Sequence, residues 1–215
     1  MWTQLRIEVH EQFAAVEAFF KATRGIDKSI EQTAKGLAFV HMYAAYESTV
    51  RAIVRTAIAQ IEAHGHKLED LTPSLMALFL DQHLTRLQDS GKKDIWDARI
   101  QIFEQLFSGY PAKVSNTVFP NDGNHFRQNQ LKTIFRILGL KRMPARRRRH
   151  LQKVDEVVHR RNAVAHGEET AGAVGRCYSR TDVLHTIQQI RSVCLLLVSE
   201  AEKQCLDKPR HCRRR

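Results

Sequence analysis

One apolar stripe, extending from Phe39 to Ile61, constrains the fold of this chain more than any other feature. Its members recur every three or four residues, which is the period of an α-helix rather than the alternation of a β-strand. They are Phe39, Tyr43, Tyr46, Val50, Ile53, Ala57 and Ile61. The stripe predicts one long helix over residues 29–63, ended by Gly65, with an apolar face that packs against a core.

The remaining segments show the same helical period, and the Val/Ile/Thr alternation of a strand is missing. Helices are predicted over residues 2–23, 73–84, 92–107, 127–138, 144–166 and 181–206. The Pro-, Asn- and Gly-containing segment 111–124 is predicted as a loop, and so is the Gly-containing segment after Gly167. The fold class is therefore all-α, with one bundle-like domain over residues 1–207 and a basic tail over residues 208–215.

Several classes of protein are disfavoured. No apolar run approaches the roughly 18–20 residues of a membrane helix, and the first residues lack the pattern of a signal peptide, so a cytoplasmic location is predicted. The cysteines at 177, 194, 205 and 212 form no C-x-x-C pair and are expected to be reduced thiols. The Gly-rich motifs of nucleotide-binding folds are missing as well. We predict no cofactor, no metal ligands and no membrane partner.

The positive charge is concentrated in two clusters. The chain carries a net charge of +11, from 34 Lys and Arg against 23 Asp and Glu. Six cations lie within residues 141–149, and five lie in the tail; removing these eleven from the 34 leaves 23, equal to the number of acids. A solubilising role is preferred for the tail. The run Arg146, Arg147, Arg148 and Arg149 is predicted to bind RNA, because like charges so close together repel unless an anion screens them.

The segment from Val154 to Gly167 carries the chemistry. On a helix, its polar residues Asp155, His159, Asn162 and His166 fall within about 60° of one another. The residues expected on the opposite, core-facing side are Val154, Val157, Val158 and Ala165. Arg161 falls in the middle of that apolar side, where a guanidinium is costly unless it is paired or reaches outward. Its position calls for a carboxylate partner or an anionic ligand.

Glu47, at the edge of the aromatic face of the long helix, offers such a carboxylate. A Glu47–Arg161 ion pair would let both groups enter a helix interface and would fix the direction of the guanidinium. His166 lies in the last helical turn before Gly167. A histidine near an arginine suits RNA cleavage, since the imidazole moves protons and the guanidinium stabilises charge on the phosphorus centre. A histidine at a helix end also stabilises the helix by itself, so the residues alone leave a structural role open.

Three segments resemble one known family. The first, Arg161-Asn162-Ala163-Val164-Ala165-His166, fits the R-N-x-x-x-H form of the motif of the HEPN superfamily. The second, Tyr43-Ala44-Ala45-Tyr46-Glu47, resembles the Y-A-x-aromatic-E segment of the MAE-type HEPN-like nuclease branch, with Tyr where Trp is common. The third, residues 129–140, resembles the N-x-L…LGL helix of that branch. The three segments occur in the family's order, and the resemblance covers about residues 35–200.

This resemblance implies a helical domain that forms homodimers, with the Arg and His of two protomers at a shared cleft. Many such proteins are metal-independent endoribonucleases of toxin–antitoxin or phage-defence systems, acting with an antitoxin or another partner protein. Carried over to this chain, it implies that Arg161 and His166 are catalytic, that Asn162 orients them or the phosphate, and that Glu47 pairs with Arg161. Arg160 and His159 are assigned to RNA binding with the arginine run, which is not part of the family pattern.

Other interpretations stay open. A non-catalytic helical module that binds RNA or a partner protein would use the same basic clusters. His64 and His66 suggest a metal site, although a solvated helix end is the preferred interpretation, because histidines two residues apart across a helix end rarely converge. Trp96 and Phe103, seven residues apart, are expected in the core rather than on a surface that stacks nucleic-acid bases.

Overall fold

The computed structural model describes residues 1–113, 126–140, 148–207 and 211–212. Within these ranges every regular element is a helix, which confirms the all-α fold class, and the only extended pairings are two isolated bridges, Lys67–Pro111 and Leu71–Cys212. The α-helices are α1 Trp2–Ala22, α2 Lys28–Ala63, α3 Pro73–Phe79, α4 Asp81–Asp89, α5 Ile95–Leu106, α6 Gln128–Ile137, α7 Arg148–Ala165, α8 Ala171–Arg176 and α9 Arg180–Cys205. A 3₁₀ turn, Leu68–Asp70, follows α2. Among these helices none is both long enough and apolar enough to cross a bilayer.

The chain forms two compact units. Unit 1 comprises Met1–Ile53, His125–Leu131 and Pro144–Glu200. Unit 2 comprises Val54–Asn124, Lys132–Met143 and Ala201–Arg215. The single domain expected over residues 1–207 stays a prediction. Most of the predicted tail and the predicted start of α7 at Pro144 lie outside the described residues, as does nearly all of the predicted loop 111–124.

The long helix α2 has the apolar face that its sequence predicts. All seven members of the stripe are buried, and Tyr46 is one of the largest fully buried side chains. The Tyr46 hydroxyl donates to the backbone oxygen of Phe126 at 2.6 Å, just before α6 begins. Since a buried phenol needs a partner, this bond anchors the start of α6 to the core of unit 1.

The first and last long helices of unit 1 are tied together by Arg180. Its Nη2 donates to the backbone oxygens of Phe20 at 2.6 Å and Lys21 at 3.2 Å, and its guanidinium lies 4.4 Å from the centre of the Phe20 ring. The last carbonyls of a helix have no partner within it, so a guanidinium from α9 satisfies the end of α1. Glu31 of α2 completes the arrangement with an ion pair to Arg180 at 3.4 Å.

Three expectations for the elements are corrected. The helix predicted over residues 73–84 is two helices, α3 and α4, separated at Leu80. The segment after Gly167 is not only a loop, because it contains α8. Trp96 and Phe103 are not in the core. They form an exposed apolar stripe with Ile100 of α5 and with Phe107, which directly follows α5. The exposed fractions are 66% for Trp96, 52% for Ile100, 60% for Phe103 and 62% for Phe107.

The cysteines provide a test of this packing. Burial raises the pKa of Cys194 and of Cys205 to about 12, whereas Cys177 is exposed. At pH 8 a thiol with that pKa is ionised to only about one part in 10⁴, and the thiolate is the reactive form. We expect iodoacetamide to label Cys177 at least a hundredfold faster than Cys194 or Cys205 in the folded protein, as read by mass spectrometry of peptides. Equal rates would contradict the described core; unfolding in guanidinium should equalise them.

Candidate active site

The site segment lies at the end of α7. Gly167, with φ of +73°, is the residue after which the chain leaves the helix, and only glycine adopts that conformation without strain. His166 directly follows the last helical residue, and its backbone N–H still donates to Asn162 at 2.9 Å. The chain then turns back, because the Glu169 N–H donates to the Ala163 oxygen at 3.0 Å. The imidazole of His166 is therefore carried on a fixed helix end, and it is exposed.

The core-facing side of α7 agrees with the sequence except at its last turn. Val154, Val157 and Val158 are buried as expected. Ala165 is exposed, and Ala163 is buried in its place, with 2% of its surface exposed. The physical reason is the returning chain after Gly167, which covers the Ala163 side of the helix. The polar stripe stays accessible at its end, since His159 and His166 are both exposed.

Arg161 lies against an aromatic ring. Its guanidinium carbon is 4.6 Å from the centre of the Tyr43 ring on α2, and Tyr43 is 2% exposed. A guanidinium that stacks on a ring face gains cation–π attraction while its edge still donates hydrogen bonds. Nη1 of Arg161 donates to Oδ1 of Asn162 at 3.0 Å. The ring of Tyr43 thus stabilises a cation on the apolar side of α7, and the amide of Asn162 directs the guanidinium toward the polar stripe.

Glu47 lies one turn after Tyr43 on α2, and its ion pair is with Arg51 at 2.9 Å. Its carboxylate and the guanidinium of Arg161 both act on the phenol of Tyr43. Burial raises the pKa of the Tyr43 phenol, the carboxylate of Glu47 raises it further, and the guanidinium of Arg161 lowers it. The structure therefore places the guanidinium of Arg161 in contact with Tyr43 and with Asn162. Glu47 is paired with Arg51, and the expected Glu47–Arg161 pair stays a prediction.

Asp155 has a structural contact. Its carboxylate accepts from the backbone N–H of Gln128, the first residue of α6, at 3.0 Å. A carboxylate at the first turn of a helix satisfies a free N–H and lies at the positive end of the helix dipole. Of the predicted polar stripe, Asp155 is thus engaged in folding, whereas Asn162 and His166 lie at the end where Arg161 is directed.

The residues assigned to RNA binding divide into three groups. Arg146 and Arg147 lie outside the described residues, and Arg148 and Arg149 form the first turn of α7. His159 is exposed. Arg160 is half-buried: its Nε donates to the Tyr178 hydroxyl at 2.9 Å, and its Nη1 lies 3.4 Å from Glu169. A phosphate contact by Arg160 would require these bonds to break.

Sequence reasoning missed the roles of two tyrosines. Tyr178 links Arg160 to Glu156, to which its hydroxyl donates at 3.0 Å, and its ring packs 4.7 Å from Phe39. The sequence predicts Tyr43 as a member of the core stripe and of the Y-A-x-aromatic-E segment, with no contact to Arg161. The contact of Tyr43 with Arg161 could have been predicted, because an aromatic ring can stabilise a guanidinium on an apolar helix side as well as a carboxylate can.

These features define an all-helical protein with an R-N-x-x-x-H segment at a helix end, its arginine on a tyrosine of the long helix. The family model described as MAE_28990-like HEPN matches residues 7–208. The chain belongs to this HEPN family, which associates it with a nuclease-like or RNA-related role. Neither the curated proteins nor the solved structures compared with it give a match.

Proposed function

We propose that this chain is a metal-independent endoribonuclease of a toxin–antitoxin or phage-defence system, acting in the cytoplasm on RNA as a homodimer. The observation that supports this most is the arrangement of Arg161, Asn162 and His166. The guanidinium donates to the Asn162 amide at 3.0 Å, and His166 lies one turn further along the same stripe of the helix. A cation and a proton carrier thus reach the same end of α7.

The reaction that these groups support is attack by the RNA's own 2′-hydroxyl on the adjacent phosphate. The 2′-oxygen forms a bond to phosphorus, the bond from phosphorus to the 5′-oxygen breaks, and the leaving oxygen takes a proton. His166 moves the proton of the attacking or the leaving oxygen, and Arg161 stabilises the charge on the phosphorane. The products are a 2′,3′-cyclic phosphate and a 5′-hydroxyl.

A second protomer completes the site in this proposal. His166 lies five positions after Arg161, so their side chains leave the helix about 140° apart. Arg161 lies on Tyr43 and turns only its edge toward the stripe, whereas His166 is exposed beyond the helix end. Two copies facing each other across the ends of α7 would place both groups of each copy around one phosphate. Arg148, Arg149 and His159 belong to α7 itself, and together with Arg146 and Arg147 they are assigned to contacts with the RNA backbone.

Arg161→Lys is expected to lower the rate of RNA cleavage by about tenfold or more, because an ammonium lacks the planar fork that stacks on Tyr43 and donates to two oxygens at once. Tyr43→Phe retains the ring, so it should keep most of the activity and lose about 1 kcal/mol of stability with the phenol's hydrogen bond to the backbone of Phe126. Initial rates on a mixed RNA substrate measure the activity of both variants, and urea unfolding measures the stability of Tyr43→Phe. A wild-type rate for Arg161→Lys would remove Arg161 from the mechanism.

A second candidate function is a non-catalytic module that binds a partner protein. The exposed stripe of Trp96, Ile100, Phe103 and Phe107 favours it, because contiguous apolar residues on a surface mark interaction sites. Wild-type protein that cuts neither transfer, messenger nor ribosomal RNA, even with its partner protein present, would favour this function over the nuclease.

A further inference from the structure

Four side chains with metal-binding atoms meet within unit 2. His64 and His66 flank Gly65 at the end of α2, and His211 and Cys212 lie near the end of the chain. The Nδ1 atoms of His64 and His211 are 3.2 Å apart, although 147 residues separate them in sequence. Sγ of Cys212 is 3.3 Å from Nδ1 of His66. Ligand atoms of the three histidines all lie within 4.8 Å of one another.

Two of these distances are close to edges of a zinc tetrahedron. Cys212 meets the three histidines through His66, and closing the tetrahedron would bring its thiolate toward His64 and His211. With Zn–N near 2.0–2.1 Å and Zn–S near 2.3 Å, two nitrogens lie about 3.3–3.4 Å apart, and a nitrogen and a sulfur about 3.5–3.6 Å apart. The contacts of 3.2 Å and 3.3 Å are close to those values. Three imidazoles and one thiolate form a donor set that suits Zn²⁺, and four protein ligands are typical of a structural rather than a catalytic site.

The backbone holds the ligands in place. The His211 oxygen accepts from Thr72 N–H at 2.8 Å, and Cys212 bridges to Leu71. The His66 oxygen accepts from Ala112 N–H at 2.8 Å. His211 is fully buried. These backbone contacts hold residues 211 and 212 beside the end of α2, which lowers the entropy cost of assembling the site.

The environment of His64 also fits metal binding. The amide nitrogen Nε2 of Gln60 lies 3.3 Å from Nε2 of His64, on the ring edge away from the Nδ1 that faces His211. Rotating this amide by 180° exchanges its nitrogen and its oxygen, and the oxygen would then accept the Nε2 proton and leave the lone pair of Nδ1 for a metal, as outer partners of histidine ligands do. A proton shared between two neutral imidazoles would explain the His64–His211 contact alone, but it gives no role to His66 and Cys212.

We propose that His64, His66, His211 and Cys212 bind one Zn²⁺ ion that fastens the end of the chain to the end of α2. The proposal is independent of RNA cleavage. Full-length protein without a histidine tag, purified without chelators, should contain about one zinc per chain by mass spectrometry of the metal. His211→Ala should reduce that content at least tenfold, and His10→Ala, an exposed histidine of α1, should leave it unchanged. Zinc-free wild-type protein that also takes up no Co²⁺, or a His211→Ala variant with full zinc content, would overturn the proposal.

Cobalt and thiol labelling keep the test decisive where a variant folds poorly. Wild-type protein loaded with Co²⁺ should show the intense visible bands of a tetrahedral site and a thiolate-to-cobalt charge-transfer band. Cys212→Ser should lose the charge-transfer band alone. In the wild type, a strong chelator should lower the melting temperature and speed iodoacetamide labelling of Cys212 at least tenfold relative to the exposed Cys177. Labelling of Cys212 that does not respond to the chelator would contradict metal binding.

Discussion

His166→Ala is expected to lower the rate of RNA cleavage by about 10²–10⁴-fold, the range that a positioned general acid or base contributes. The imidazole is exposed at the end of α7 and is not part of the core, so the substitution should leave the melting temperature and the oligomeric state unchanged. RNA affinity at fixed salt should also be close to wild type, since the phosphate contacts are assigned to other residues. In cells, expression of the wild type should arrest growth and expression of His166→Ala should not.

The matched control is His10→Ala, which removes an exposed histidine from α1. It should cut RNA at the wild-type rate. If His166→Ala cuts RNA as fast as His10→Ala does, the proton carrier is another residue and the mechanism fails. If His166→Ala loses cleavage only because it no longer binds RNA, His166 has a binding role instead.

Gly175→Ala is expected to destabilise unit 1 strongly, by about 3 kcal/mol or to the loss of the folded state. A Cβ at Gly175 would overlap the backbone oxygen of Gln32 on α2, and it would lie only 2.8 Å from the carbonyl carbon of that residue. Gly36 on α2 meets the backbone of Ala171 in the same way. The two glycines let α8 and α2 pack backbone to backbone, so a methyl group forces the helices apart.

Gly172→Ala in the same short helix is the control. Its Cβ would lie 3.5 Å from Oγ1 of Thr33, an ordinary contact. Since alanine favours helices over glycine by about 1 kcal/mol, this variant should be as stable as the wild type or slightly more stable. Urea unfolding followed by circular dichroism measures both free energies. Similar values for the two variants would show that α8 does not pack on α2 as described.

Helices α2 and α8 show which parts of the fold the sequence predicts and which it does not. The stripe of α2 was predictable because seven apolar residues repeat at the helical period, and all seven are buried. The segment Ala171–Arg176 contains two glycines, and its local propensity favours a loop. It is helical because Gly175 permits the close approach to α2, a tertiary contact that no local pattern encodes. The prediction that Trp96 and Phe103 lie in the core was wrong because the helical period identifies an apolar face but does not show whether another element covers it.

For the candidate site, the residue types were predictable and their partners were not. An arginine on an apolar helix side predicted a stabilising partner, and the structure supplies the ring of Tyr43 while Glu47 pairs with Arg51. From the sequence, Arg160 was assigned to RNA binding with the arginine run. In the structure its guanidinium donates a hydrogen bond to the hydroxyl of Tyr178. The spacing of His64 and His66 argued against a metal site. The sequence could not predict the proposed site, because its other two ligands, His211 and Cys212, come from the far end of the chain.

The most direct test of the account is the chemistry of the cut ends of RNA. Purified wild-type protein should cleave RNA without added divalent cations and leave 2′,3′-cyclic phosphate and 5′-hydroxyl ends, as read by end-specific labelling and mass spectrometry. Those ends are the signature of attack by the 2′-hydroxyl with His166 and Arg161 around one phosphate. Fragments with 3′-hydroxyl and 5′-phosphate ends, formed only with added Mg²⁺, would contradict it.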